Sequence, residues 1–86
     1  MPTISLFYGI KITFNYNDHM PPHFHAEYAG YSAIIDIIGG RVIKSALPKR
    51  QLKLVLAWAE LHKDDLMQNW ELARNGDNLI TIEPLR

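Results

Sequence analysis

Apolar and polar residues in the first part of the chain follow a period of two. Residues 4–8 (Ile-Ser-Leu-Phe-Tyr) read as extended, and Gly9 as a bend or bulge. In 10–16 the apolar Ile10, Ile12, Phe14 and Tyr16 alternate with Lys11, Thr13 and Asn15. Successive side chains of a strand point to opposite faces, so this spacing predicts a half-buried strand. Asn17-Asp18 starts a loop that runs through Pro21-Pro22, where the missing N–H of proline keeps the backbone out of a ladder and a cis peptide is an option. Residues 23–28 alternate again, and Ala29-Gly30 reads as a hairpin turn. Residues 31–38 are apolar on both faces (Ala33, Ile35, Ile37 and Ile34, Ile38) except at Asp36, as expected of a central strand or one covered by a partner. Gly39-Gly40 marks a tight turn and 41–47 a further strand, so short loops join four strands into an antiparallel meander.

From Pro48, a residue suited to a first helical position, the period becomes that of a helix. Leu52, Val55, Leu56, Ala59, Leu66, Met67, Trp70 and Ala73 fall on one stripe, which should pack on the sheet. The stripe breaks at His62-Lys63, and Asp64 can serve as an N-cap. Two helices, about 49–62 and 65–75, or one kinked helix are predicted, ending at Asn75-Gly76. Residues 79–83 read as a short last strand closed by Pro84. Leu54, Trp58 and Leu61 form a second apolar set on the opposite side of the first helix. Either the second helix folds over that face or it meets another chain, with Trp58 as the anchor. The fold class expected is α+β: an antiparallel four- to five-stranded sheet with two helices packed on one face, as a single domain over 1–86.

Composition narrows the function classes. Eighty-six residues supply one modest core, so a partner or self-association as a homodimer could add stability. Nine basic residues balance nine acidic ones, which removes the strongly basic footprint of a nucleic-acid binder and leaves at most a local patch. The absence of cysteine excludes disulfides, thiolate catalysis and thiolate-bound zinc. No apolar run approaches the roughly 18 residues of a membrane span, and the first residues do not read as a signal peptide, so a cytoplasmic protein is expected. Nucleophile elbow, P-loop, dinucleotide and zinc-finger spacings are all missing.

The densest chemistry lies in Asp18-His19-Met20-Pro21-Pro22-His23-Phe24-His25-Ala26-Glu27-Tyr28, which holds three of the four histidines. On a strand, His23, His25 and Glu27 line one face, and Phe24, Ala26 and Tyr28 the other. Acid–base chemistry is one reading. His23 and His25 would move protons with His19 assisting, an arrangement that cleaves RNA by activating the 2′-hydroxyl and protonating the leaving oxygen, with no cofactor. The other is a metal site, in which His23, His25 and Glu27 hold one divalent transition metal. A plain solvated sheet face, with Glu27 as a cross-strand ion partner, also accounts for the same residues.

Lys44, Lys49, Arg50 and Lys53 crowd the start of the first helix, where free N–H groups favour anions and acidic side chains are the usual choice. They are candidates to bind a phosphate, a nucleic-acid backbone or an acidic partner, although long stems lying on apolar surface also explain them. Trp70 and Tyr16 are assigned to the core, and His62 to the last turn of its helix, where a cation is favourable.

Several segments together resemble a known family. They are Met-Pro-Thr-Ile-Ser at the start, Asp18-His19 followed by Pro-Pro-His-Phe-His, Gly30-Tyr31, Leu-Pro-Lys-Arg-Gln-Leu at 47–52, Ala57-Trp58-Ala59 and Asn69-Trp70-Glu71-Leu72. Over essentially its whole length the chain is similar to the small bacterial domain-of-unknown-function family 4160. The resemblance implies a setting like that of toxin–antitoxin components, with a cognate small protein encoded nearby. The function expected on that basis is the toxin-like member of a two-protein module, a metal-independent ribonuclease for which RNA is the substrate. The alternatives are a non-catalytic metal-binding or protein-interaction adaptor, and a DNA-binding autoregulator that the neutral charge disfavours.

Overall fold

The computed structural model describes residues 2–86. Five strands, β1 (Thr3–Phe7), β2 (Ile10–Thr13), β3 (His23–Tyr28), β4 (Tyr31–Asp36) and β5 (Val42–Ser45), precede helices α1 (Lys49–Leu61) and α2 (Lys63–Arg74). The strands lie in chain order in one antiparallel sheet. This is the α+β architecture expected from the alternating first half and the helical second half.

Two-residue hairpins set the register. Phe7 pairs with Ile10 across Tyr8-Gly9, and Tyr28 with Tyr31 across Ala29-Gly30. All four turn residues have positive φ, the condition under which a tight hairpin twists with its strands. That register sorts the two faces. Ile12, Ala26 and Ala33 are cross-strand partners on one face, as are Phe24 and Ile35, and all five are buried. On the opposite face Thr13, His25, Ile34 and Lys44 form a row across four strands. β4 stops at Asp36 because its carboxylate accepts the N–H groups of Ile38 and Gly39, which turns the chain instead of extending the ladder.

Both helices contribute to the core on the first face. In α1 the buried set is Val55, Trp58 and Ala59, and in α2 it is Leu66, Asn69, Trp70 and Ala73. The α1 stripe is therefore rotated from the one centred on Leu52 and Leu56, and this corrects the assignment of Trp58 to a partner interface. Trp58 is fully buried, its ring 5.3 Å from Phe7 and 5.8 Å from Phe24, and its Nε1 donates to the Glu83 carbonyl at 2.8 Å. Leu54 is half-buried, so only Leu61 of the expected trio is exposed. The helices break at His62, as the interrupted stripe suggests, but Asp64 lies in the first turn of α2 and not at its cap. Gly76, at φ +74°, closes α2: its N–H donates to Ala73 and that of Asp77 to Leu72, the paired bonds of a left-handed C-terminal stop.

The last segment forms no regular strand. Asn69, buried in α2, donates from its amide to the Ile80 carbonyl and accepts the Ile80 N–H, both at 2.9 Å, while the Ile82 N–H bonds the Ile4 carbonyl. One side chain thus takes the place of a neighbouring strand. Tyr16, expected on the core face, lies past the end of β2 and is exposed. Among the described residues no helix is long and apolar enough to cross a membrane.

Candidate metal centre

The period of two in β3 places His23 and His25 on the same face, ring centroids 5.2 Å apart and nearly edge-on. The loop before β3 returns over that face, with the Met20–Pro21 peptide in cis, and delivers Asp18 to the two rings. Asp18 Oδ2 lies 2.9 Å from His23 Nε2 and 3.3 Å from His25 Nε2. Asn15 Nδ2 stands 3.3 Å from both Asp18 Oδ2 and His25 Nε2. The His19 N–H donates to Asp18 Oδ1 at 2.8 Å and so fixes the carboxylate's second oxygen. The side chains of His23, His25 and Asp18 retain 10, 19 and 17% of their exposure, a shielded site that still reaches solvent.

His23 is the most constrained of the group. Its Nδ1 is 2.8 Å from the Pro21 carbonyl oxygen while Nε2 faces Asp18, and its ring lies 5.3 Å from that of Trp70. Both nitrogens therefore meet acceptors. Satisfying both requires a proton on each nitrogen, or a cation in place of the one on Nε2. Trp70 Nε1 is buried without a hydrogen-bond partner, so Trp70 offers His23 a packing surface and no polar contact. Burial pushes the Asp18 carboxyl up, but the His19 N–H and the side chains of His25 and His23 outweigh it, lowering its pKa from 3.8 to about 2. The carboxylate is held ionised, as a ligand must be.

The structure sorts the candidate residues. Among the described residues Asp18, His23 and His25 are the group whose donor atoms could share an ion, all within 4.8 Å of one another. Glu27 shares their face, but its cross-strand partners are Lys11 and Ser32, one pleat repeat along from His25, and it stays out of the cluster. The converging donor group thus has Asp18 in the place that the sequence pattern gave to Glu27. No periodicity could place Asp18, because it sits in a loop; its acidic type within the same short segment was the available signal. His19 is exposed at the rim and acts through its backbone. Lys44 lines a small cavity with His25, whereas Lys49, Arg50 and Lys53 are exposed at the start of α1.

The fold and site define a small α+β domain carrying a two-histidine, one-carboxylate constellation at the start of its central strand. The sequence model of the family described as domain of unknown function (DUF4160) matches residues 9–71, and the chain belongs to that family. The matched segment contains Asp18, His23 and His25. No curated protein and no solved structure matches the chain.

Proposed function

We propose that the domain binds one divalent transition metal through Asp18 Oδ2, His23 Nε2 and His25 Nε2. The convergence of these three atoms carries the reading. Ligands about 2.1 Å from an ion in tetrahedral or octahedral geometry stand about 3.0–3.4 Å apart. The two nitrogens already lie 2.9 and 3.3 Å from the carboxylate oxygen. The Pro21 carbonyl supplies the outer hydrogen bond that metal-bound imidazoles usually make, and it leaves Nε2 as the ligand atom. Two imidazoles with one carboxylate suit zinc, iron(II), cobalt or nickel better than magnesium or calcium. Three protein ligands leave coordination positions open, as in catalytic rather than structural sites.

The test is elemental analysis and calorimetry on untagged protein purified without chelator. We expect about one ion per chain, with affinity falling at least about 100-fold in Asp18→Ala, His23→Ala and His25→Ala and holding in Glu27→Gln. A wild-type chain that takes up added zinc or cobalt no better than Asp18→Ala overturns the reading.

The metal-independent ribonuclease, in the toxin-like two-protein setting, is the second reading. It draws support from Lys44 and His25 lining one cavity, a cation beside an acid–base group. RNA cleavage by chelator-treated protein that disappears in the His23→Ala/His25→Ala double variant would favour it.

A further inference from the structure

Two cavities flank the pair His25 and Ile34. One, of about 310 Å³, contains Asp18, His23 and His25 together with the apolar Met20, Ile34 and Ile43. The other, of about 190 Å³, contains Ser32, Lys44 and Ser45. The sheet register explains the pairing: His25 stands opposite Ile34 and Ile34 opposite Lys44, so the lysine projects on the metal-site face two strands away. Two strand spacings are about 10 Å, a gap that a lysine stem and a small ligand can bridge between them. Among the described residues Lys44 has no carboxylate partner.

We propose that, given the metal reading above, the open coordination positions take a small organic monocarboxylate. One carboxylate oxygen binds the ion, Lys44 faces the carboxylate, and a short apolar body lies against Met20 and Ile43. Charge accounts for the head group. A divalent ion with one ligating carboxylate and two neutral imidazoles keeps one net positive charge, and Lys44 adds a second. A neutral or cationic ligand leaves that charge unanswered. The lining accounts for the tail: Met20 is 65% exposed and Ile43 49%, so the mouth of the cavity presents apolar surface to water that an aliphatic chain would cover.

Cobalt-loaded protein separates this proposal from the metal assignment. Cobalt uptake is first established by its stoichiometry and visible d–d bands. Acetate, hexanoate and hexylamine are then titrated at constant ionic strength. Hexanoate is expected to shift the bands saturably, about tenfold or more tighter than acetate, while hexylamine leaves them unchanged. Lys44→Met should weaken hexanoate at least about fivefold at unchanged cobalt stoichiometry, and Ile43→Ser should narrow the gap between hexanoate and acetate. Bound cobalt whose bands ignore hexanoate up to tens of millimolar, or respond equally in Lys44→Met, overturns the ligand proposal and leaves the metal site standing. A chain that takes up no cobalt overturns both.

Discussion

Asp18 shows how one loop carboxylate can be held in its charged form by the groups around it. Three nitrogen groups besides its own neighbour's N–H lie within hydrogen-bonding reach, and its pKa is lowered to about 2. A folded-state pKa below the unfolded one adds stability above the unfolded value, near 3.8, and loses it as pH falls toward 2. For chelator-treated protein we expect Asp18 to contribute about 1–2 kcal/mol at neutral pH, allowing for the solvent that reaches its side chain. The difference in unfolding free energy between wild type and Asp18→Asn should therefore shrink between about pH 4 and pH 2. A difference that stays constant over that window would mean that the carboxylate's charge does not matter to the fold. At this scale the sequence was half legible. Alternation alone put His23 and His25 together, because strand geometry is local. Asp18 is brought in by a loop whose path depends on contacts with the rest of the chain, and no short-range rule describes that path.

The elements were read more fully than their edges. The meander was legible because the β1–β2 and β3–β4 hairpins are each closed by two residues, so those pairings are local events, and the Gly39-Gly40 signal marks the turn before β5. The break at His62 was legible from the interrupted stripe. The face that α1 buries was not, since positions 52, 55, 56 and 59 and positions 55, 58, 59 and 62 are both proper helical spacings. Contact with Phe7 and Phe24 on the sheet decides between them in favour of Trp58. The start of α1 has no acidic residue in its first turn and no side-chain cap, while Lys49, Arg50 and Lys53 oppose the positive end of its dipole. Lys49→Glu is expected to raise stability by about 0.3–1 kcal/mol at low salt, less at high salt. Urea unfolding at two ionic strengths checks it. No change at low salt would mean that the lysine already has a favourable anionic neighbour in solution.

Across the whole molecule the C-terminal segment acts as a fastening. It accepts the Trp58 indole N–H at Glu83, engages the Asn69 amide at Ile80 and adds a backbone bond to β1 at Ile4. Sequence reasoning read 79–83 as a strand because its composition suits one. A buried asparagine in a helix gave no sign that it would occupy the strand's hydrogen-bonding groups. Asn69→Ala removes both bonds and is expected to cost about 2–4 kcal/mol. Limited proteolysis should then cut first after residue 76, with the sheet and α1 still protected. Uniform loss of protection across the chain would instead show that this segment folds and unfolds with everything else.

The contact between His23 and Trp70 would also make an ion bound at His23 optically visible. Two indoles contribute to the protein's emission, and one of them lies with its ring 5.3 Å from a ring that would carry the ion. A paramagnetic ion arriving at His23 would sit close enough to quench the Trp70 excited state. Occupancy could then be followed by intrinsic fluorescence in the unlabelled chain, and the component that darkens is the one lost in Trp70→Phe.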